Sequence, residues 1–238
     1  MGQFIEFFQY WDEQKNCFEL PPVAENDPTE RNYLSNRIGK ALADYCAKRI
    51  DGALYTHCYE DAMKVGGYPI VGERPDFYCV TPTKQFAIES KGFSRRSVSE
   101  NAMAKHKTQS KKGPLQVHFS IASVAYDLYS APKVKYYDPP NSGVSYDGRF
   151  NHRLLKKYYG RILSGLDSPL LTRTGKESGE SFIEYQLVEQ DHPVKLIIHK
   201  DILAEKWKDR SWMSEKAPYD YDVVNEYMDV DGIGVRKA

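Results

Sequence analysis

The 238 residues predict a mixed α/β fold, an α+β mixed sheet flanked by helices, and three observations carry it. A capped helical pattern comes first. Short apolar stretches with period-two alternation follow it, and a second capped helical pattern then leads into one more stretch rich in β-branched residues. The predicted order is αβββαβ, with an α/β elaboration after it.

After a loose aromatic start, residues 1–25 read as an N-terminal extension. Asn26 or Asp27 can cap the first helix, Pro28 suits its first turn, and Tyr33, Leu34, Ile38, Ala41, Leu42, Tyr45 and Cys46 recur at helical spacing. That helix should end within 49–52. A shorter helical pattern covers 53–64, with Leu54, His57, Cys58 and Ala62 on one side, and Gly66-Gly67 stops it. Three strands are then predicted, at 68–71, 76–80 and 86–91, with 81–84 and its Pro82 turning the second back on the third. Ser97 and Glu100 make a capping-box pair, opening a helix through Lys111 that Gly113-Pro114 closes. The stretch 117–129 reads as a buried strand.

The turn-rich segment DPPNSGVSYDG marks a boundary, so 26–138 is the expected core and 139–238 an elaboration packed on it. Within the elaboration, 149–163 suggests a helix in which Arg153, Lys156, Lys157 and Arg161 interleave with Tyr158 and Tyr159. Such residues can contact phosphates and stack on bases, although tyrosines at that spacing are more often packing residues. Two strands, 181–188 and 194–199, flank a turn at 190–193. The acidic tail DYDVVNEYMDVDGIG falls short of a calcium loop at Asp229 and Asp231, because the other acidic ligands are missing.

Composition bounds the function. Hydrophobic residues make up 41% of the chain, which is globular, and 33 basic residues balance 33 acidic ones. No global field therefore draws the protein to nucleic acid, and any such binding must come from local patches. Cys17, Cys46, Cys58 and Cys79 have no metal-clip spacing and read as reduced thiols. No secretory signal and no membrane-spanning run is apparent, so a cytoplasmic location is expected.

The most informative residues are Asp76, Glu89 and Lys91, in RPDFYCVTPTKQFAIESKG. Alternation along the third strand puts Glu89 and Lys91 on one face and Phe86 and Ile88 on the other. The hairpin can bring Asp76 beside them. Two converging carboxylates suit a hard divalent cation that takes its remaining oxygens from water and phosphate. A neighbouring lysine can orient a water or offset phosphate charge, so the chemistry indicated is phosphodiester hydrolysis. A same-face surface ion pair between Glu89 and Lys91 is the alternative, worth under about 1 kcal/mol.

Pro75-Asp76, twelve intervening residues, then Glu89-Ser90-Lys91 resembles the PD-(D/E)xK nuclease superfamily, which includes restriction endonucleases, resolvases and repair nucleases. The resemblance covers about half of the chain and implies a restriction-endonuclease-like fold. It implies Asp76 and Glu89 as ligands of Mg²⁺, for which Mn²⁺ can substitute, and Lys91 as the residue positioning the attacking water. An upstream acid often completes such sites; Glu60 is favoured over Glu30, and a solvated helix-face charge remains the plain alternative for both.

The expected substrate is DNA, double-stranded, met by the basic stretch that follows the site. Arg95, Arg96, Lys105, Lys107, Lys111 and Lys112 lie there against Glu100 alone, and Lys105, Gln109 and Lys112 share a face at helical spacing. Gln109 is followed four residues later by Gly113, where some branches of the superfamily carry tyrosine. Cutting both strands commonly needs two sites, so a homodimer is the expected assembly. A nuclease-fold protein that binds DNA or assembles without catalysis is the competing expectation. Six scattered histidines, and the absence of a nucleophile elbow or phosphate-binding glycine loop, leave other hydrolase schemes unsupported.

Overall fold

Asp27 begins the fold's principal helix. In the computed structural model, which describes residues 10–12, 14–137, 145–169, 171–178, 182–187, 194–209, 221–223 and 226–237, its carboxylate accepts from the Thr29 and Glu30 N–H groups at 2.7 and 3.3 Å. Of the two predicted caps, Asp27 is the one used. Before it come a small hairpin, β1 (Trp11–Asp12) with β2 (Cys17–Phe18), and a single helical turn, α1 (Pro22–Glu25). The capped helix, α2, runs Pro28–Asp51 and stops at Gly52.

The sequence expectation of a helix over 53–64 is corrected by the structure. Residues Tyr55–Cys58 form strand β3, and only Tyr59–Gly66 is helical, as α3. Leu54, His57, Cys58 and Ala62 do recur at helical spacing, but Tyr55, Thr56, His57 and Cys58 pair antiparallel with Val80, Cys79, Tyr78 and Phe77. The ladder outweighs the weak local preference. The expected strand at 68–71 is absent: that stretch is irregular. The order of the first unit is thus αβαββαββ after its small N-terminal elements, in place of αβββαβ.

The predicted hairpin stands. Strand β4 (Phe77–Val80) turns through Thr81 and Lys84, whose N–H and C=O bond at 2.9 Å, into β5 (Gln85–Gly92), antiparallel to it. Helix α4 (Glu100–Ser110) then carries the chain to β6 (Phe119–Tyr126), which lies parallel to β5 as such a crossover allows. Its cap is Ser99, not the expected Ser97; the Ser99 hydroxyl accepts from the Ala102 N–H at 3.3 Å. Strand β7 (Lys133–Tyr137) completes a mixed five-stranded sheet of order β3-β4-β5-β6-β7.

Each face of the central strands carries one helix. On one face Phe86, Ile88 and Ile121 pack with Ala43 and Ala47 of α2. On the other, Ala122 and Val124 pack with Met103 of α4 and Val98. Glu89 stands level with Ala122 and Lys91 with Val124. Both therefore project from the α4 face.

The chain divides into two compact units, Met1–Asp147 and Gly148–Ala238. The second contains α5 (Gly148–Leu166) and a six-stranded antiparallel sheet. Its strands are β8 (Leu171–Ser178), β9 (Phe182–Leu187), β10 (Val194–His199), β11 (Tyr221–Val223), β12 (Glu226–Met228) and β13 (Ile233–Lys237), with one helical turn, α6 (Lys200–Leu203). They are arranged in the order β11-β12-β13-β10-β9-β8. Tyr158 and Tyr159 in α5 are packing residues: both hydroxyls donate to Asp231, to its carboxylate and its carbonyl respectively, and the Tyr159 ring lies 5.7 Å from Trp207. The turn expected at 190–193 lies outside the described residues.

Candidate active site

Asp76 immediately precedes β4, and its N–H donates to Ile88 O at 2.9 Å, which sets it level with Glu89 on the adjacent strand. Its Oδ2 accepts from both the N–H and the hydroxyl of Ser90, at 3.0 and 2.9 Å. Its Oδ1 lies 2.9 Å from Lys40 Nζ, an ammonium delivered by α2. The carboxylate is thus held by groups from two elements.

Glu89 is fully buried, and Lys91 Nζ stands 2.6 Å from its Oε1. Neither carboxylate oxygen accepts an aligned hydrogen bond, so the Lys91 contact is an ion pair. Burial, reinforced by the nearby Asp76 charge and opposed by Lys91 and Lys40, pushes the Glu89 carboxyl up to about 7. The pair is not the surface contact that the motif alone allows. One carboxylate here is costly to ionise without a cation beside it.

Burial pulls the Lys40 ammonium down, but Asp76, with Cys58 and Glu89 behind it, more than offsets that and holds it above its ordinary value. Asp76, Glu89, Lys40 and Lys91 therefore form one cluster, two acids each with an ammonium beside it. Helix α2 is fixed there by backbone contact: a Cβ on Gly39 would come within 2.5 Å of Gly92 N, and one on Gly92 within 1.6 Å of Ser35 O. Lys40 was not singled out from sequence. Its signal was Gly39, a glycine inside an otherwise regular helix, where it costs about 1 kcal/mol unless close packing requires it.

The remaining candidates spread further. Glu60, in the first turn of α3, accepts from Arg74 Nε at 3.0 Å and is half-exposed. Among the described residues no group of three or more His, Cys, Asp and Glu side chains is placed to hold a metal. The buried, undonated oxygen pair of Glu89 and the single-partner Oδ1 of Asp76 nonetheless suit a hard cation.

Of the basic stretch, Arg95, Arg96, Lys105 and Lys111 are exposed, and the Arg95 guanidinium lies 4.1 Å over the Phe93 ring. Two other members of the stretch are engaged within the protein. Lys107 is only 5% exposed, and its ammonium donates to Ser120 Oγ at 3.2 Å beneath α4. Lys112 lies past the end of α4 and pairs with Glu73, so it does not continue the face of Lys105 and the half-buried Gln109. His106, on α4, is held below its ordinary value by burial and by the Lys91 and Arg95 charges.

No family model, no curated protein and no solved structure matches this chain. Among the described residues, no helix is long and apolar enough to cross a membrane.

Proposed function

We propose that the protein is a Mg²⁺-dependent endonuclease that hydrolyses phosphodiester bonds of double-stranded DNA, with Asp76, Glu89 and Lys91 as its catalytic centre. The observation that carries this reading is Glu89: a buried carboxylate without an aligned donor, level with Asp76 on the neighbouring strand and beside an ammonium. Buried charge of that kind is costly without cations beside it; Lys91 supplies one, and a divalent ion shared with Asp76 would supply a second.

Asp76 Oδ1 and Glu89 would hold Mg²⁺, or Mn²⁺ in its place, with water and substrate phosphate filling the other positions. The bound cation would supply Lewis-acid stabilisation of charge on the phosphate. Lys91 donates hydrogen bonds, so it orients the attacking water by its oxygen and offsets charge on the diester. Attack breaks one P–O ester bond and leaves a phosphate and a hydroxyl. Ser90 keeps Asp76 Oδ2 occupied and so points Oδ1 into the site. Glu60, engaged by Arg74, has only an assisting place in this scheme. Arg95, Arg96, Lys105 and Lys111 are the exposed cations available to the DNA backbone.

Supercoiled plasmid incubated with the full chain should be nicked or linearised with Mg²⁺ and left intact with EDTA. Glu89→Ala and Lys91→Ala should each lower the rate by roughly a hundredfold or more. Equal cleavage by the wild type and both variants would sink the assigned centre. A second reading, a nuclease-fold protein that binds DNA or assembles without cutting it, is favoured by one observation: Lys40 already occupies Asp76 Oδ1. Duplex binding without cleavage in Mg²⁺ or Mn²⁺ would establish it.

A further inference from the structure

Lys40 stands where a cation would have to enter. Ser90 commits Asp76 Oδ2 through two donors, which leaves Oδ1, and the Lys40 ammonium is 2.9 Å from that atom. Helix α2 lies directly against β5, where Gly39 and Gly92 bring the two backbones too close for even a methyl group between them. The Lys40 Cα is therefore held within reach of Asp76. Its side chain is 43% exposed, so the ammonium at the end of a four-carbon stem can turn outward without the helix moving.

Lys91, with its side chain 29% exposed, makes the same contact with Glu89. A divalent cation approaching this cluster meets two ammoniums at close range, and their repulsion opposes its entry. A phosphate arriving at the same time reverses the balance. It offers the lysine another anion just as the carboxylate is needed for the metal.

We propose, on the basis of the nuclease assignment above, that Lys40 is a resident competitor of the metal: in the substrate-free protein it holds Asp76 Oδ1, and a nucleic-acid phosphate draws it off, so that cation and substrate bind together. Linkage makes the effect reciprocal, and the metal raises affinity for the duplex by the factor by which the duplex raises affinity for the metal. Lys40 is a positioning residue in this scheme, acting through Asp76. A site that arms itself only on its substrate keeps a bound metal from idling in the free enzyme.

The test is Mn²⁺ binding to the full chain, followed by electron paramagnetic resonance with and without a short duplex carrying phosphorothioates to slow cleavage. Wild type should bind Mn²⁺ weakly alone and roughly tenfold or more tightly with the duplex. Lys40→Met should bind tightly without the duplex and lose most of the linkage, as should a second neutral variant, Lys40→Gln. Lys40→Arg keeps a cation and should behave as wild type. Neutral variants that melt at a lower temperature but leave duplex-free Mn²⁺ affinity unchanged would show a merely structural role and overturn the proposal. Wild-type affinity that ignores the duplex, with Mg²⁺-dependent plasmid cleavage intact, would overturn it too and leave the nuclease assignment standing. No Mn²⁺ binding by any of these proteins, together with no cleavage, would overturn both.

Discussion

His57 is buried in β3, its ring stacked 6.2 Å from Tyr55. Burial, opposed by Asp61 and aided by Lys48, holds its imidazole down to about 3 from an ordinary 6.5. The sign follows: between those values the unfolded chain takes up a proton that the folded one refuses, so stability is fully present above 6.5 and falls as the pH drops. Urea titrations should lose up to roughly 3 kcal/mol between neutral and about pH 4 from this group alone. His57→Gln should remove that part of the acid limb. Identical pH slopes in the two proteins would refute the assignment. Glu89 shows the opposite imbalance, its carboxyl raised by burial and Asp76. Sequence reached Asp76, Glu89 and Lys91 because strand alternation and a short hairpin bring them together locally. Lys40 escaped because its contact with Asp76 depends on where a distant helix crosses the sheet.

At the scale of elements, the seating of α2 on β5 decides where that lysine falls. Gly39→Ala should help an isolated helix by about 1 kcal/mol. Here it should destabilise instead, since the new methyl would meet the Lys91 and Gly92 backbone at 2.5 Å. Gly92→Ala is worse, with Ser35 O at 1.6 Å, and should cost at least about 3 kcal/mol in denaturant unfolding while displacing Lys40 from Asp76. Gly160→Ala, at an exposed position of α5 with nothing within 4 Å, should gain about 0.5–1 kcal/mol. A common sign for Gly92→Ala and Gly160→Ala would deny the contact. The elements that were legible are those whose cause is local: Asp27 and Pro28 start α2, and Thr81 to Lys84 fold β4 onto β5. Strand β3 was not, because its short length fits a helical spacing as well, and only the partner residues of β4 choose between them. The stretch 68–71 erred the other way: Tyr68, Ile70 and Val71 favour a strand, yet the chain there is irregular and Val71 remains exposed.

Over the whole molecule the charge sums to zero, 33 basic against 33 acidic residues, so association with DNA has no long-range field to exploit. Binding must rest on whichever cations can release counterions from phosphates. Buried Lys107, bonded to Ser120, and Lys112, engaged by Glu73, are poorly placed to do so. Arg95, Arg96, Lys105 and Lys111 remain exposed in the basic stretch. If each neutralises one phosphate, log K should fall with log salt at a slope of about −4. Replacing Lys105 and Lys111 together by alanine should flatten the slope by roughly 2 and weaken binding to all duplex sequences alike. Lys107→Ala should instead lower stability and leave the slope unchanged, because its ammonium serves the packing of α4. Fluorescence anisotropy of a labelled duplex across a salt series measures each slope. A double variant with the wild-type slope would move the backbone contacts off this stretch, and the DNA would then have to approach the site from the side of α2, where Lys40 stands.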